Sequence, residues 1–161
     1  MNLRIGQGYD IHPIAQNRIL FLGGVEIPSP EKGGLLGHSD ADVLLHAVID
    51  AVLGALALGD IGQWFPDTAE KWRGADSKKL LQFVLQDPRV KPWKLVNLDC
   101  SIIAQVPKLA PYIGAIRASL ASLFNADVGC ISVKAKTNEH LDAVGRKEAM
   151  MAQAVLLLNH E

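Results

Sequence analysis

The stretch His38 to Gly59, HSDADVLLHAVIDAVLGALALG, is the longest segment of the chain with one helical reading, and it constrains what the rest can be. Its Val, Leu, Ile and Ala content predicts a largely buried helix. Ser39 is the expected N-cap, with Asp42 three residues on where a capping box carries Glu or Gln, and an acid there suits the positive helix start. Asp42, His46 and Asp50 recur every four residues and so share one face. That row is either a solvated polar stripe or the helix's share of a chemical site.

Strand signals lie on both sides of this helix. Leu3 to Tyr9 reads as a strand that ends in GYDIH, Gly8 to His12. Side chains two apart on a strand share a face, so Asp10 and His12 emerge together while Ile11 turns the other way, toward the expected core. The segment ILFLGGVEIP suggests two short strands hinged at Gly23 and Gly24, and SPEKGGLLG is a loop. Beyond the helix, Pro66 and Asp67 mark a loop and SKKLLQFVL a second, shorter helix. KLVNLDCSIIAQ is a strand, and Pro107 is placed for the first turn of a helix over PKLAPYIGAIRASLASLF. CISVKAKT is another strand. The tail AMMAQAVLLL supports a helix on its Ala and Met content and a final strand on its length and position. The mixture predicts an α+β domain, a mixed β-sheet with helices on one face.

With 161 residues, 49% apolar and 20% charged, the chain has the composition of a single globular domain over residues 1–161. A formal charge of -1 argues against broad attraction to nucleic acid or an anionic membrane, so an anionic ligand must be held locally. No apolar run approaches the roughly 20 residues of a membrane span, and the N-terminus lacks signal-peptide blocks. The expectation is a cytoplasmic protein, or one of the plastid stroma after loss of a transit peptide. Cys100 and Cys130 lack CxxC spacing and read as small strand residues in a reducing compartment.

Three groups of residues carry chemistry. Asp10 and His12 supply two donors to which His46 adds a third, and catalytic zinc commonly takes three N or O ligands and leaves the fourth position open. The alternative is a polar strand end beside a polar helix stripe. His38 and Ser39 stand before the expected helix start, where free N–H groups favour a phosphate; otherwise they are a loop histidine and a cap. In KAKTNE, the Thr137 hydroxyl suits a phosphate oxygen and Glu139 a hard divalent cation, against the plainer reading of a charged strand end with Lys136.

Taken in order, GYDIH, GHSDADVLLH, GDIGQWFPDT, AQVPKL and KTNE resemble the family of synthases that form 2-C-methyl-D-erythritol 2,4-cyclodiphosphate in the non-mevalonate isoprenoid pathway, over almost the whole chain. The resemblance implies a phosphorus-oxygen lyase that takes 4-diphosphocytidyl-2-C-methyl-D-erythritol 2-phosphate to the cyclic diphosphate and CMP. It implies zinc on Asp10, His12 and His46, and a second divalent ion, magnesium or manganese, on Glu139. His38 and Thr137 fall at positions credited with stabilising the transition state. Substrate contacts are implied for Asp10, His12, His38 and Ser39, and for Lys136, Thr137, Asn138 and Glu139 around the diphosphate. Asp60, Ile61 and Gly62 line the remaining pocket, with the segment from Phe65, Pro66, Asp67 and Thr68 to Lys71. The segment Ala104, Gln105, Val106, Pro107, Lys108, Leu109 and Ala110 is implied to hold cytidine from a neighbouring subunit, in a homotrimer with the sheets toward its centre. Asp42 and Asp50 become supporting groups, with Asp42 expected to orient a histidine ligand.

Against the family pattern, Asp142 and Ala143 replace a common Gly and Phe beside an axial cavity whose mouth Arg146 and Glu148 would flank. Lys136 replaces a common Thr, and Gln7 a common His. The competing functions are a zinc-dependent phosphohydrolase and a silent trimeric protein that binds nucleotide or prenyl diphosphate; neither partners nucleic acid or membrane.

Overall fold

The structure, a computed structural model, describes residues 2–28 and 33–160; residues 29–32 of the expected SPEKGGLLG loop lie outside the described residues. Strand β1 (Asn2–Ala15) is longer than the expected strand from Leu3 to Tyr9. Strands β2 (Leu20–Leu22) and β3 (Val25–Ile27) form the expected hairpin at Gly23 and Gly24, both at positive φ. After β4 (Gly34–Leu35) come helices α1 (Val43–Ala55), α2 (Ile61–Trp64) and α3 (Ser77–Gln86). The second half holds β5 (Trp93–Ile103), α4 (Ile113–Phe124), β6 (Ile131–Lys136), α5 (Asp142–Gly145) and β7 (Ala149–His160). The ambiguous tail is thus a strand.

The main sheet runs β4-β1-β7-β5-β6, antiparallel except for the parallel pair β5 and β6. This is the mixed sheet of an α+β fold. β7 sits at its centre because alternate residues Met150, Ala152, Ala154, Leu156 and Leu158 are buried against the helical layer, a period of two that a helix would not give. Helix α1 lies across β1 and β7. Its approach to β1 is close enough that a Cβ on Gly6 or Gly8 would come within 1.9 Å of the Ala51 or Ala47 carbonyl oxygen. Two glycines two apart therefore cut a groove in the strand for the helix backbone.

The opposite face of the sheet is uncovered in the single chain. It exposes Ile5, Tyr9 and Ile11 on β1 and Val155 on β7. Ile11 was expected to enter the core; it is 41% exposed, because Asp10 and His12 take the helical side. No helix of the described residues is long and apolar enough to cross a membrane.

Two predicted helix starts move. Helix α1 begins at Val43, and its N-cap is Asp42, whose carboxylate accepts from the Leu44 and Leu45 N–H groups. Ser39 is no cap: the chain bends through residues 37–40, and Ala41 is left-handed at φ 59°. Pro107 does not open α4 either. It follows a cis peptide bond in an irregular segment, and Pro111, in a short 3-10 turn, leads into the helix.

Candidate metal centre and its surroundings

The groove between β1 and α1 continues two residues beyond Gly8 to Asp10 and then His12, which places both side chains opposite His46. His46 Nδ1 lies 2.9 Å from Asp10 Oδ2 and 3.0 Å from His12 Nε2, and His12 Nε2 lies 2.9 Å from the same Asp10 oxygen. Three donor atoms thus converge on one point from a strand and a helix, the one such cluster among the described residues. A tetrahedral ion at about 2.0–2.2 Å from its ligands needs donors roughly 3.3–3.6 Å apart, so a few tenths of an ångström of opening accommodates zinc. The imidazole and carboxylate donors suit it. Burial raises the affinity of Asp10 for its proton, but the His12 and His46 imidazoles beside it outweigh this and hold the carboxyl well below the usual carboxylate range. Asp10 is therefore ready as an anionic ligand.

The polar row on α1 is not a solvated stripe. Asp42 is fully buried and His46 nearly so. Asp42 does not orient a histidine ligand: its carboxylate accepts from Gly23 N at 2.9 Å and Gly24 N at 2.6 Å besides its capping bonds. It ties the hairpin turn to the helix start, and since it saturates those N–H groups they are not open to a phosphate. Burial pushes its carboxyl upward against these backbone bonds. Asp50 accepts from Ile61 N at 2.7 Å and so anchors α2 beside the site.

A cavity of about 200 Å³ opens over the three donors. Of the expected residues it gathers Asp10, His12, His46, His38, Ser39, Ile61, Gly62 and Phe65, and it adds Trp72 and Leu80, which sequence reading missed. Trp72 packs edge-on against Phe65 at 4.9 Å, closing one wall. Asp60 caps α2 through Gln63 N, and Pro66, Asp67 and Thr68 form an exposed turn beyond Phe65. Ser77 was also missed. As the first residue of α3 it carries no motif, yet its hydroxyl lies 3.1 Å from His46 Nε2.

The remaining expected residues form a second cluster at the far side of the sheet. The Ala104 N–H donates to Lys136 O at 2.9 Å, so the segment from Ala104 to Ala110 lies beside Lys136, Thr137, Asn138 and Glu139. Thr137 Oγ1 donates to Glu139 Oε1 at 2.8 Å, and both residues are exposed. In the sheet, β6 stands three strands from β1, which at about 4.8 Å per strand separates the two clusters by roughly 14 Å within one chain. Asp142 adopts φ 54°, a conformation that suits the common Gly; its carboxylate makes this tenable by accepting from Val144 N at 2.8 Å and Asn138 Nδ2 at 2.6 Å. Ala143 lies half-buried beside it, and Arg146 pairs with Glu148 at 2.9 Å.

Comparison with known proteins places nearly the whole chain in one family. The model of the YgbB family matches residues 3–159. Proteins named 2-C-methyl-D-erythritol 2,4-cyclodiphosphate synthase are similar along nearly their whole length. The one from Chromobacterium violaceum is 57% identical over 155 residues, 96% of this chain and 97% of the relative. That from Neisseria gonorrhoeae is 55% identical over 157 residues, 98% and 97%. A solved structure described as the IspF (Plasmodium falciparum) CDP complex superposes with a TM-score of 0.84 at 37% identity, over 99% of this chain and 97% of that one. The chain belongs to the YgbB family, alongside these 2-C-methyl-D-erythritol 2,4-cyclodiphosphate synthases.

Proposed function

We propose that this chain is a cyclodiphosphate synthase of isoprenoid biosynthesis that converts 4-diphosphocytidyl-2-C-methyl-D-erythritol 2-phosphate to 2-C-methyl-D-erythritol 2,4-cyclodiphosphate and CMP. The observation that carries this reading is the convergence of Asp10, His12 and His46 beneath a cavity edged by His38 and Ser39, in a chain with relatives of that name. In the reaction the 2-phosphate oxygen attacks the β-phosphorus, the bond from that phosphorus to the bridging oxygen breaks, and CMP leaves with the electron pair. Such a transfer requires mainly positioning and charge stabilisation.

Each group has a part in that scheme. Asp10, His12 and His46 would hold zinc, and Glu139 would offer its carboxylate to magnesium or manganese. Ions held there would supply Lewis-acid stabilisation of the charge that collects on the diphosphate. His38 and the Thr137 hydroxyl hold the transferring phosphoryl group in line, and Lys136 adds a cation beside it. Ser39, Asn138 and Arg146 add polar contacts. Asp60, Ile61, Gly62 and Phe65 to Thr68 enclose the erythritol portion, while Ala104 to Ala110 receive the cytidine through backbone groups. Ala143 belongs to the wall of the axial cavity.

The separation of the two clusters supports a site shared between copies. One diphosphate cannot bridge roughly 14 Å within a chain, and the uncovered apolar face of the sheet favours burial against further copies. In the homotrimer of this reading the sheets face the centre, each site joins the β1–α1 cluster of one copy to the β5–β6 cluster of the next, and a monomer is inactive.

Phosphorus NMR of the purified protein with this substrate, zinc and magnesium tests the reaction. Cyclic diphosphate with CMP is the expected outcome. Open-chain phosphates would identify a hydrolase instead, and substrate left untouched a binding protein.

A further inference from the structure

Behind His46 lies a hydrogen-bonded chain through Ser77 and Asp40, two residues that take no direct part in the scheme above. His46 Nε2, the ring nitrogen turned away from Asp10 and His12, faces Ser77 Oγ at 3.1 Å and Ser39 Oγ at 3.0 Å, and both serines are buried. Ser77 is in turn gripped at two points by Asp40. Its hydroxyl donates to Oδ1 at 2.5 Å and its backbone N–H to Oδ2 at 3.0 Å. An ionised carboxylate only accepts, so the single Ser77 hydrogen is committed to Asp40, and Ser77 offers His46 only lone pairs. A hydrogen on Nε2 is then accepted by Ser77, while Ser39 Oγ at 3.0 Å is the one hydroxyl left to donate to an unprotonated Nε2. Ser39 Oγ accepts from Ala41 N at 3.1 Å and has Ser77 Oγ 3.5 Å away for its own hydrogen.

On the other side of the ring, Asp10 Oδ2 draws a hydrogen toward Nδ1, but His12 Nε2 stands 2.9 Å from the same oxygen and can satisfy it. One arrangement honours the commitment of Ser77 to Asp40 and leaves His46 a ligand lone pair: His12 Nε2–H to Asp10, His46 Nε2–H to Ser77, Ser77 O–H to Asp40. In it the Nδ1 lone pair of His46 is free.

We propose that Asp40, acting through the Ser77 hydroxyl, is a positioning residue that keeps the His46 hydrogen on Nε2 and aims the Nδ1 lone pair at the point shared with Asp10 and His12. The inference rests on the reading of those three residues as a zinc site, where outer partners of a ligating imidazole fix its tautomer and commonly contribute 10–100-fold in metal affinity. Asp40 also accepts from Asp42 N at 3.2 Å and donates its own N–H to Ala75 O at 3.0 Å, so it ties the start of α1 to the start of α3 and sets where Ser77 stands.

Asp40→Asn separates this role from a merely structural one. To keep the Ser77 N–H paired, the amide must turn its oxygen to that group and its NH2 to Ser77 Oγ. The Ser77 hydroxyl is then released to donate to His46 Nε2, and the ring hydrogen moves to Nδ1. Imidazole nitrogen-15 spectra of the metal-free protein, recorded where the rings are neutral, read this directly, and chelator competition reads zinc affinity. Expected are Nε2–H in the unaltered protein, Nδ1–H in Asp40→Asn, and zinc binding weaker by about 10–100-fold in the variant. Should Asp40→Asn not fold, Ser77→Ala replaces it, with a mixture of tautomers expected. Nδ1–H in the unaltered protein, or the same tautomer and affinity in the variant, would overturn the proposal. Failure of the unaltered protein to bind zinc would sink the zinc reading alone, since the tautomer pattern still decides the role of Asp40.

Discussion

The β1–α1 end of the molecule and the β5–β6 end are built on opposite principles. At the first, the donors of Asp10, His12 and His46 sit within 3.0 Å of one another, buried or half-buried, and the last is backed by buried serines. At the second, Thr137, Glu139 and Lys136 are exposed, and Glu139 accepts from the Thr137 hydroxyl two residues away. A carboxylate and two histidines brought together out of water need their geometry fixed in advance, whereas groups that wait for a phosphate and for another chain can remain solvated. The first half is finished by folding; in the proposed function the second is finished by assembly and substrate.

Changes at the two ends should therefore fail differently. The largest effect is expected for His46→Ala, which removes one of the three donors proposed to hold zinc. Zinc should be lost on dialysis, and turnover should fall at least about 10³-fold, the equivalent of several kcal/mol of Lewis-acid stabilisation. Retained zinc at one ion per chain would break the assignment of the finished half. Asp42→Ala strikes the scaffold of that same half. It leaves the N–H groups of Gly23, Gly24, Leu44 and Leu45 without their acceptor, and urea unfolding should show a loss of about 3 kcal/mol or more. A loss under about 1 kcal/mol would mean that water replaces the carboxylate.

At the open end, Glu139→Ala should leave zinc content and unfolding midpoint unchanged while turnover drops by about 10²-fold, the usual loss for a group that stabilises transition-state charge. Weakened zinc binding in this variant would contradict the independence of the two halves. The smallest effect concerns the sheet between them. Cys100 on β5 is buried, and burial pushes its thiol up to about 12 from an ordinary 9.0. Between those values the unfolded chain releases a proton that the folded chain keeps, so stability is undiminished below pH 9 and falls as pH rises toward 12. The fall is at most about 1.4 kcal/mol per pH unit. Comparison of urea midpoints between Cys100→Ala and the unaltered protein isolates this slope; identical slopes would show that Cys100 titrates as if solvated.

How far each end was legible in the sequence follows from the same contrast. The alternation of Asp10 and His12 and the four-residue spacing to His46 are local patterns, and they carry the finished half apart from its outer layer. The cap was misread because Ser39 and Asp42 fit a capping box, while the actual choice depends on Gly23 and Gly24, some twenty residues away, as further donors to Asp42. Ser77 and Asp40 were invisible for a related reason: only the packing of α3 against α1 brings the serine to His46. Pro107 was read as a helix start because proline favours the first turn, yet Pro111 does the same four residues later and lies against the helix. The β7 tail was undecided because its Ala and Met content favours helix while its length and position suit a strand, and only its central place between β1 and β5 settles it. The motifs of the open half were visible through resemblance, but its distance from the finished half was not, since strand order is a property of the whole sheet.

The joining of the two halves between copies is tested most directly by mixing chains. His46→Ala and Glu139→Ala, each expected to retain about one per cent of the activity or less, are unfolded together, refolded as a mixture and assayed for cyclic diphosphate. If each site takes its zinc half from one copy and its Glu139 half from the next, random assembly regenerates intact sites in about a quarter of cases, and activity returns to that fraction. If both halves belong to one chain, no mixture contains an intact site, and activity that stays at the level of the separate variants would contradict the account.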